Sequence, residues 1–458
     1  MTSAPPTLRR AAALALALAA FAARGANAQT PIDPALAAAT FDTAWATIHR
    51  SHFDSTFGGL SWTGVRDELR PRAAAAKTNE ALREVLGEMV GRLGLSHFGV
   101  IPGDAQAALD AEGEEDDGPA DAPPGETGME VRLVGERFLV TRVLPGSAAD
   151  AAGIRPGWAI EAVGDRESAA LLKVVGTLPG AEEPRKRQLY GWTAIRARLD
   201  GRAGAVRRIR FEDGAGARRT VALTLGPASG TVTKYGNLPA IVVRAERERR
   251  PLPGGGTAGV IRFNYWMPTV IREMDAAVDE LRDTDGIVVD LRGNVGGVGF
   301  MAAGYAGHFI DRPDTLATLV TRENRLYYIV NPRRVNARAE AVRPFAGPVA
   351  VLVDPVSVST SEFFAGGLQK LGRARVFGET SAGQALPAFA KRLPNGDVLM
   401  HAVADFTGPG GERFEGAGVV PDEPAPPTRE ALLAGGDPAL DAALRWIASQ
   451  KKDRAPAR

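Results

Sequence analysis

Two short runs of apolar residues limit the fold of this chain more than any other feature. Residues 286–292 read Gly-Ile-Val-Val-Asp-Leu-Arg, and Val349–Val353 are apolar throughout. Strands without polar alternation are typical of a parallel sheet that is covered on both faces. Helix-like segments alternate with such runs, so the sequence predicts an α/β core with a largely parallel sheet.

The length of 458 residues predicts a multidomain chain. Apolar residues at helical spacing predict a helical N-terminal region over residues 29–103. Residues 104–127 are acidic and rich in proline, which predicts a linker. Short strand-like runs predict a β-rich domain over residues 128–228. We expect the α/β core at residues 229–450 and a basic tail at residues 451–458.

The first 28 residues have the pattern of a secretory signal peptide. Arg9 and Arg10 precede a run rich in alanine and leucine, and Ala26-Asn27-Ala28 fits the small-x-small cleavage site. The run is too short to span a bilayer, and no later stretch is long and apolar enough. The sequence therefore predicts an exported protein, periplasmic or secreted, with no integral membrane segment in the mature chain.

The composition excludes several classes of function. The chain has no cysteine, which excludes disulfides, zinc held by cysteine and a cysteine nucleophile. With 55 basic and 54 acidic residues, its net charge of +1 gives no reason to expect a nucleic-acid partner. The histidines are scattered and form no His-Glu-x-x-His motif, so we expect neither a metal nor a cofactor. They are His49, His52, His97, His308 and His401.

A cluster of hydroxyl residues follows one of the apolar runs. Ser357, Ser359 and Ser361 lie between Val349–Val353 and a helix-like stretch at residues 363–368. A serine at a strand–turn–helix junction is exposed, and the free N–H groups of the helix start can stabilise an oxyanion. The alternative is that these hydroxyls only cap the helix, which is the commoner role of such clusters.

A glycine-rich loop follows the other apolar run. Residues 290–297 read Asp-Leu-Arg-Gly-Asn-Val-Gly-Gly. Glycines let the backbone approach a ligand closely and present N–H groups to an anion. No Lys-Ser/Thr pair follows, which excludes a P-loop. Without a nucleophile, the simplest interpretation is a tight turn over the sheet.

The β-rich segment carries a recognisable signature. Residues 145–149 read Pro-Gly-Ser-Ala-Ala, residues 152–154 read Ala-Gly-Ile and residues 156–158 read Pro-Gly-Trp. This series resembles a PDZ domain, which implies a domain that binds an extended peptide C-terminus as an added strand. The alternative is a small β-domain without a peptide groove.

Three motifs occur in an order that resembles the carboxyl-terminal processing (tail-specific) serine peptidases. They are the glycine-rich loop at residues 290–297, Ser-Val-Ser-Thr-Ser-Glu at residues 357–362 and Gly-Glu-Thr-Ser-Ala-Gly at residues 378–383. The resemblance covers nearly the whole chain after the signal peptide, including the helical region and the PDZ-like domain. It implies an α/β serine peptidase core.

The resemblance assigns roles to the residues of these motifs. It implies that Ser359 is the nucleophile, and that the oxyanion hole uses the amide of Gly296 or Gly297 and that of Thr360. The family's usual base is a lysine directly after the third motif, where this chain has Gln384. Glutamine cannot accept a proton near neutral pH, so the usual Ser/Lys dyad is absent.

Two other segments resemble the tricorn-type branch of the same superfamily. Residues 93–98, Leu-Gly-Leu-Ser-His-Phe, are similar to its LGxSH segment, and residues 415–422 are similar to its E-x-x-G-V-x-P-D segment. The resemblance implies that His97 is the general base and that Ser96 and Glu415 orient it. The alternatives are that the histidine only caps a helix and that the glutamate is solvated.

These expectations combine into an exported, cofactor-free serine endopeptidase with a Ser/His/Ser/Glu site. It would cleave unfolded or tail-tagged proteins through an acyl-enzyme on Ser359, with substrates recruited through the PDZ-like domain. One alternative is a proteolytically inactive protein that binds peptides or ligands on the same scaffold, supported by Gln384. Another is hydrolysis of a non-peptide ester by the same residues.

Overall fold

The computed structural model describes residues 30–103, 118–119, 121–178, 180–234 and 240–454. The predicted signal peptide, residues 104–117 of the predicted linker and residues 455–458 lie outside the described residues. Helices and several β-sheets are combined in one chain, which confirms the mixed α/β class. No helix of the described part is long and apolar enough to cross a membrane.

The N-terminal region is built from three helices and a 3₁₀ turn. They are α1 (Pro34–Ser51), the turn Phe57–Gly59, α2 (Trp62–Ala74) and α3 (Asn79–Gly91). A polar side chain precedes each helix and accepts a hydrogen bond from a backbone N–H of its first turn. These N-cap residues are Asp33, Ser61 and Thr78. A strand follows them, β1 (Gly99–Ile101).

The predicted boundary at residue 103 does not separate two independent cores. β1 pairs with the strand at Val398–Ala402, and Leu393 and Leu399 belong to the same hydrophobic cluster as the N-terminal helices. The helices bury their apolar faces against this distant hairpin, so the N-terminal region is packed onto the core.

The β-rich region contains an antiparallel sheet of six strands and three helices. The strands are β3 (Met129–Val134), β4 (Arg137–Val143), β5 (Ala159–Val163), β6 (Arg166–Glu167), β8 (Val206–Glu212) and β9 (Arg218–Thr224). The helices are α4 (Ala148–Ala151), α5 (Ser168–Val175) and α6 (Pro184–Leu199).

The sequence pattern missed the long helix α6. Ala194 and Ile195 pack into the cluster beneath the antiparallel sheet, whereas Leu189 and Trp192 pack against Val358 of the core. A helix that is buried on two sides has no single apolar stripe, so its periodicity is weak.

Part of the predicted linker is ordered and paired. β2 (Pro124–Glu126) pairs with β7 (Gly201–Arg202) and β10 (Gly226–Pro227) in a small antiparallel sheet. Residues 124–126 therefore form a strand, although the sequence predicts a linker there. Main-chain hydrogen bonds alone can hold a short strand, so the absence of an apolar pattern did not exclude one.

A six-stranded sheet forms the centre of the core, in the order β13-β14-β15-β18-β19-β23. Its strands are β13 (Ala245–Pro251), β14 (Thr257–Phe263), β15 (Gly286–Asp290), β18 (Val349–Val353), β19 (Arg375–Gly378) and β23 (Glu423–Pro424). β13 is antiparallel to β14, and the other neighbouring pairs are parallel.

Both faces of this sheet are covered, which explains its apolar strands. Ile287 and Val289 point into the cluster formed with α7 (Ile271–Glu280), α8 (Phe300–Ala306) and α9 (Thr360–Lys370). Val288 belongs to the opposite cluster, which contains Leu440 and Ile447 of α11 (Pro438–Arg454). Alternate residues of one strand are thus buried on opposite sides. α11 continues to residue 454, into the predicted basic tail.

Smaller elements surround this sheet. They are β11 (Thr231–Thr233), β12 (Ile241–Val243), the turn Pro268–Val270, β16 (Asp314–Val320), β17 (Arg325–Val330), β20 (Ala388–Arg392), β21 (Val398–Ala402), β22 (Asp405–Thr407) and α10 (Arg429–Leu433). β20 and β21 form the hairpin that Asn395-Gly396 predicts.

The strand order places the two sequence motifs side by side. β15 and β18 are parallel neighbours, with Asp290 in register with Leu352. The glycine-rich loop follows β15 and the hydroxyl cluster follows β18, so both leave the sheet at the same edge. The carboxyl edge of parallel strands is where α/β sheets usually place their ligand sites.

Candidate active site

Ser359 lies at the start of α9 in a strained backbone conformation. Its φ of 58° and ψ of −116° are unusual for a residue with a side chain, and such a conformation costs about 1–3 kcal/mol. The Ser359 N–H donates to Gln384 O at 2.9 Å and to Glu362 Oε2 at 3.0 Å. The surrounding contacts therefore hold a strand–turn–helix geometry of the kind that presents a nucleophile.

The two neighbouring serines connect this turn to the glycine-rich loop. Ser357 Oγ donates to Leu291 O at 2.8 Å, and Ser361 Oγ donates to Asn294 O at 3.0 Å. Both side chains are fully buried. The cluster thus contains two structural hydroxyls around Ser359, instead of three that cap the helix.

The glycine-rich loop lies directly against Ser359. A Cβ atom on Gly296 would be 2.8 Å from Ser359 Cβ, so only glycine fits at this approach. The Gly296 N–H already donates to Asn294 Oδ1 at 3.0 Å. Thr360 Oγ1 donates to Gly297 O at 3.0 Å and fixes the next peptide.

These contacts narrow the sequence-based choice of oxyanion donors. Because Asn294 occupies the Gly296 amide, this N–H is not available to a substrate. Among the described residues, neither the Gly297 N–H nor the Thr360 N–H donates to a protein acceptor. Gly297 and Thr360 are therefore the pair that can serve an oxyanion.

His97, Ser96 and Glu415 form a chain of hydrogen bonds, although 319 residues separate the serine from the glutamate. Ser96 Oγ lies 2.7 Å from His97 Nδ1 and donates to Glu415 Oε2 at 2.8 Å. The Ser96 N–H also donates to Glu415 Oε1, at 2.8 Å. The structure thus brings together the three residues that the sequence associated with the base.

This chain of hydrogen bonds fixes the tautomer of the histidine. A hydroxyl has one proton, and that of Ser96 is donated to Glu415. The contact between Ser96 Oγ and His97 Nδ1 must then be donated by Nδ1–H. His97 Nε2 is left with a lone pair, which is the state that a general base requires.

Burial sets the protonation of both titratable groups. It lowers the pKa of His97 to about 3, so the imidazole is neutral near pH 7. Burial raises the pKa of the Glu415 carboxyl, while the donors of Ser96 and Ala385 act in the opposite direction. A carboxylate behind the serine can stabilise the imidazolium that forms when His97 accepts a proton.

Residues 384 and 385 connect Ser359 to the hydrogen-bonded chain of His97, Ser96 and Glu415. Gln384 O accepts the Ser359 N–H, and the next N–H, of Ala385, donates to Glu415 Oε2 at 2.9 Å. One short segment therefore contacts both halves of the site. Gln384 is buried, and its contact with Ser359 uses its backbone carbonyl.

Two arginines of the β-rich region contact the loops of the site. Arg132 Nε donates to Asp354 Oδ2 at 2.6 Å, and the other oxygen of Asp354 accepts the Gly293 N–H at 3.0 Å. Arg185, on α6, donates to three carbonyl groups, those of Ser381, Gly416 and Ala417. The sequence analysis did not identify these two arginines, because no local pattern distinguishes them from the other arginines of the chain.

The remaining histidines with side-chain hydrogen bonds have other partners. His401 Nδ1 lies 2.9 Å from Ser51 Oγ, His308 Nε2 lies 2.8 Å from Asp275 Oδ1, and His52 Nδ1 lies 2.8 Å from Asp54 O. In the part of the chain that the structure describes, no group of three or more histidine or acidic side chains can hold a metal ion.

Two family models match parts of this chain. Residues 257–425 match the model of peptidase family S41, and residues 35–91 match the tricorn protease C1 domain. A carboxyl-terminal-processing protease of Picosynechococcus sp. is 26% identical over 394 residues, which cover 84% of this chain and 82% of that protein. The match to peptidase family S41 contains the glycine-rich loop, Ser359 and Glu415.

Two solved structures share the fold. The photosystem II D1 C-terminal processing protease has a TM-score of 0.55 at 21% identity and covers 90% of this chain and 97% of its own. Mature CPAF has a TM-score of 0.60 at 14% identity and covers 92% of this chain and 98% of its own. At these identities, the likeness is one of fold.

Proposed function

We propose that this chain is an exported serine endopeptidase with a Ser/His/Ser/Glu site, and the match of residues 257–425 to the model of peptidase family S41 supports the peptidase activity. The observation that carries the proposal is the hydrogen-bonded chain from Glu415 through Ser96 to His97. The Ala385 N–H donates to Glu415, and the preceding residue accepts the Ser359 N–H, so this chain is tied to the turn of Ser359.

The proposed reaction is acyl transfer to Ser359. Its hydroxyl attacks the peptide carbonyl while His97 Nε2 accepts the hydroxyl proton, and the N–H groups of Gly297 and Thr360 stabilise the oxyanion. His97 then returns the proton to the leaving amine. A water molecule, deprotonated by the same imidazole, hydrolyses the acyl-enzyme. Glu415 acts through Ser96 to stabilise the imidazolium in each half-reaction.

The proposed substrates are unfolded or tail-tagged proteins. Relatives named as carboxyl-terminal processing proteases support an action near protein C-termini. We assign recruitment of the tail to residues 128–228 as a PDZ-like domain, and cleavage to residues 229–450 together with Ser96 and His97 of the N-terminal region. The contacts of Arg132 and Arg185 with the loops of the site support a link between the two regions. The signal-peptide pattern at residues 1–28 supports the proposed export.

Covalent labelling tests this proposal. The chain from residue 29 onward is expected to degrade an unfolded model protein and to react with a fluorophosphonate, with the adduct located on Ser359 by mass spectrometry. The Ser359→Ala variant, shown by circular dichroism to be folded like the parent, is expected neither to degrade the model protein nor to react with the fluorophosphonate. A folded parent that neither cleaves nor labels contradicts the proposal and supports the inactive binding protein instead.

Gln384→Ala separates this mechanism from a dyad centred on the family's lysine position. The Gln384 contacts use its backbone N–H and carbonyl, which alanine retains. We therefore expect kcat to fall far less than the about 10²–10⁴-fold that a general base contributes. Single-turnover cleavage checks this, with His97→Ala as the reference. If kcat falls equally in Gln384→Ala and His97→Ala, the assignment of His97 as the general base is wrong.

A further inference from the structure

Glu362 is a buried carboxylate that has no step in the proposed mechanism. Its side chain is 0% exposed and lies in the first turn of α9. Oε1 accepts from Ser381 Oγ at 2.6 Å and from the Gly383 N–H at 2.7 Å. Oε2 accepts from the N–H groups of Ser359, at 3.0 Å, and Gln384, at 2.9 Å. One side chain thus joins the nucleophile turn to the segment at its back.

This set of donors requires the ionised carboxylate. Each carboxylate oxygen accepts about two hydrogen bonds, and both oxygens of Glu362 are fully used. A proton on either oxygen would take the place of one donor. The displaced N–H or hydroxyl would then be buried without an acceptor, which is unfavourable. Protonation and the observed geometry therefore exclude each other.

We propose that Glu362 is a positioning residue whose carboxylate holds the backbone of Ser359 in its reactive conformation, and whose protonation releases the turn and stops cleavage on the acid side. The inference rests on the proposed function of Ser359 as the nucleophile. The strained φ of 58° at Ser359 gives the turn a reason to relax once its N–H loses this acceptor.

The electrostatics of the site agree with this role. Burial raises the pKa of Glu362 to about 7, while its four donors act in the opposite direction. The charged groups on the adjoining segments are Arg185, which holds Ser381 O, and Glu415, which accepts from the Ala385 N–H. Burial lowers the pKa of His97 to about 3, so an acid limb near pH 7 does not come from the base.

The first test is the pH dependence of cleavage. In the parent, kcat is expected to rise through pH 7 and to level off above about pH 8. In Glu362→Gln, whose amide nitrogen accepts no hydrogen bond, we expect kcat on the plateau to fall about 10²-fold with little change in KM, and the limb near pH 7 to disappear. A variant that keeps this limb, or keeps full kcat at pH 8.5, overturns the proposal.

Ser381→Ala provides a graded control that leaves the carboxylate in place. Its hydroxyl donates to Glu362 Oε1, and a donor to the charged form lowers the pKa of an acid. Removing the donor should raise the pKa of Glu362 and move the acid limb to higher pH. A limb that stays in place in Ser381→Ala contradicts the assignment of that limb to Glu362.

A spectroscopic readout separates this proposal from the proposed function. In the protein labelled with ¹⁵N-serine, the Ser359 amide signal is identified as the one absent from Ser359→Ala. We expect it to shift with a midpoint near pH 7 in the parent and to lose this shift in Glu362→Gln. If the parent does not cleave, the proposed function fails, and the titration alone decides the role of Glu362. A Ser359 amide signal that does not titrate overturns the proposal.

Discussion

Ser359→Ala is expected to lower kcat for peptide cleavage by at least about 10⁴-fold, and His97→Ala is expected to lose as much. In the proposed mechanism the two side chains act as one unit, because the hydroxyl of Ser359 attacks only when the imidazole accepts its proton. The double variant should therefore be no slower than either single variant. Single-turnover cleavage of an unfolded substrate, with the folded state checked by thermal unfolding, measures all three.

His49→Ala is the matched control for this experiment. His49 lies on α1 in the same N-terminal region, and its ring stacks on Trp45 at 4.8 Å between centroids. It has no part in the proposed site, so its removal should leave kcat close to that of the parent. Losses in Ser359→Ala and His97→Ala that multiply in the double variant would show that the two residues act independently, which contradicts the mechanism.

The second large effect is on stability, in Asp290→Ala. Asp290 is 0% exposed at the end of β15 and accepts hydrogen bonds from Arg262 and Arg292, the shortest of which are 2.6 and 2.7 Å. Removing Asp290 leaves the guanidinium of Arg262 without the carboxylate that accepts its hydrogen bonds, whereas Arg292 keeps its ion pair with Asp437. We therefore expect the free energy of unfolding at pH 7 to fall by about 3–5 kcal/mol, measured by urea denaturation.

The pH dependence of this loss has a defined sign. Burial opposes ionisation of Asp290, but Arg262 and Arg292 outweigh it and hold the pKa of the carboxyl far below its usual value of 3.8. The stabilisation is therefore complete above pH 3.8 and is lost as the pH falls further. Asp283→Ala removes an exposed partner of Arg249 and serves as the control. An equal loss in both variants would contradict the role assigned to burial.

The local sequence determined the elements that carry the site. The apolar runs at residues 286–290 and 349–353 predicted strands covered on both faces, and the clusters on either side of the sheet account for this pattern. A hydroxyl cluster after one strand and a glycine-rich loop after the other indicated a site at one edge. The Ser-x-x-Glu spacing of Ser359 and Glu362 fits a capping box, which accounts for the hydrogen bond from the Ser359 N–H to Glu362 but not for the other three donors of that carboxylate.

The proposed base and its proposed acid rest on resemblance and not on any local pattern. Ser96 and Glu415 are 319 residues apart, and only the packing of the N-terminal helices on the hairpin β20–β21 gives the pair a common frame. Periodicity describes neighbours along one helix or strand. It contains no information about which distant loop supplies the acceptor for a given N–H.

Only the tertiary structure decided which polar groups are occupied. Gly296 and Gly297 are equivalent in the sequence, but Asn294 takes the amide of the first and leaves that of the second. The role proposed for Glu362 depends on donors about 20 residues further along the chain, at residues 381–384. In the sequence this segment was notable only because Gln384 stands where the family has a lysine. The sequence thus determined which chemistry-bearing residues the chain has, while the competition of buried donors for a few acceptors decided what each of them can do.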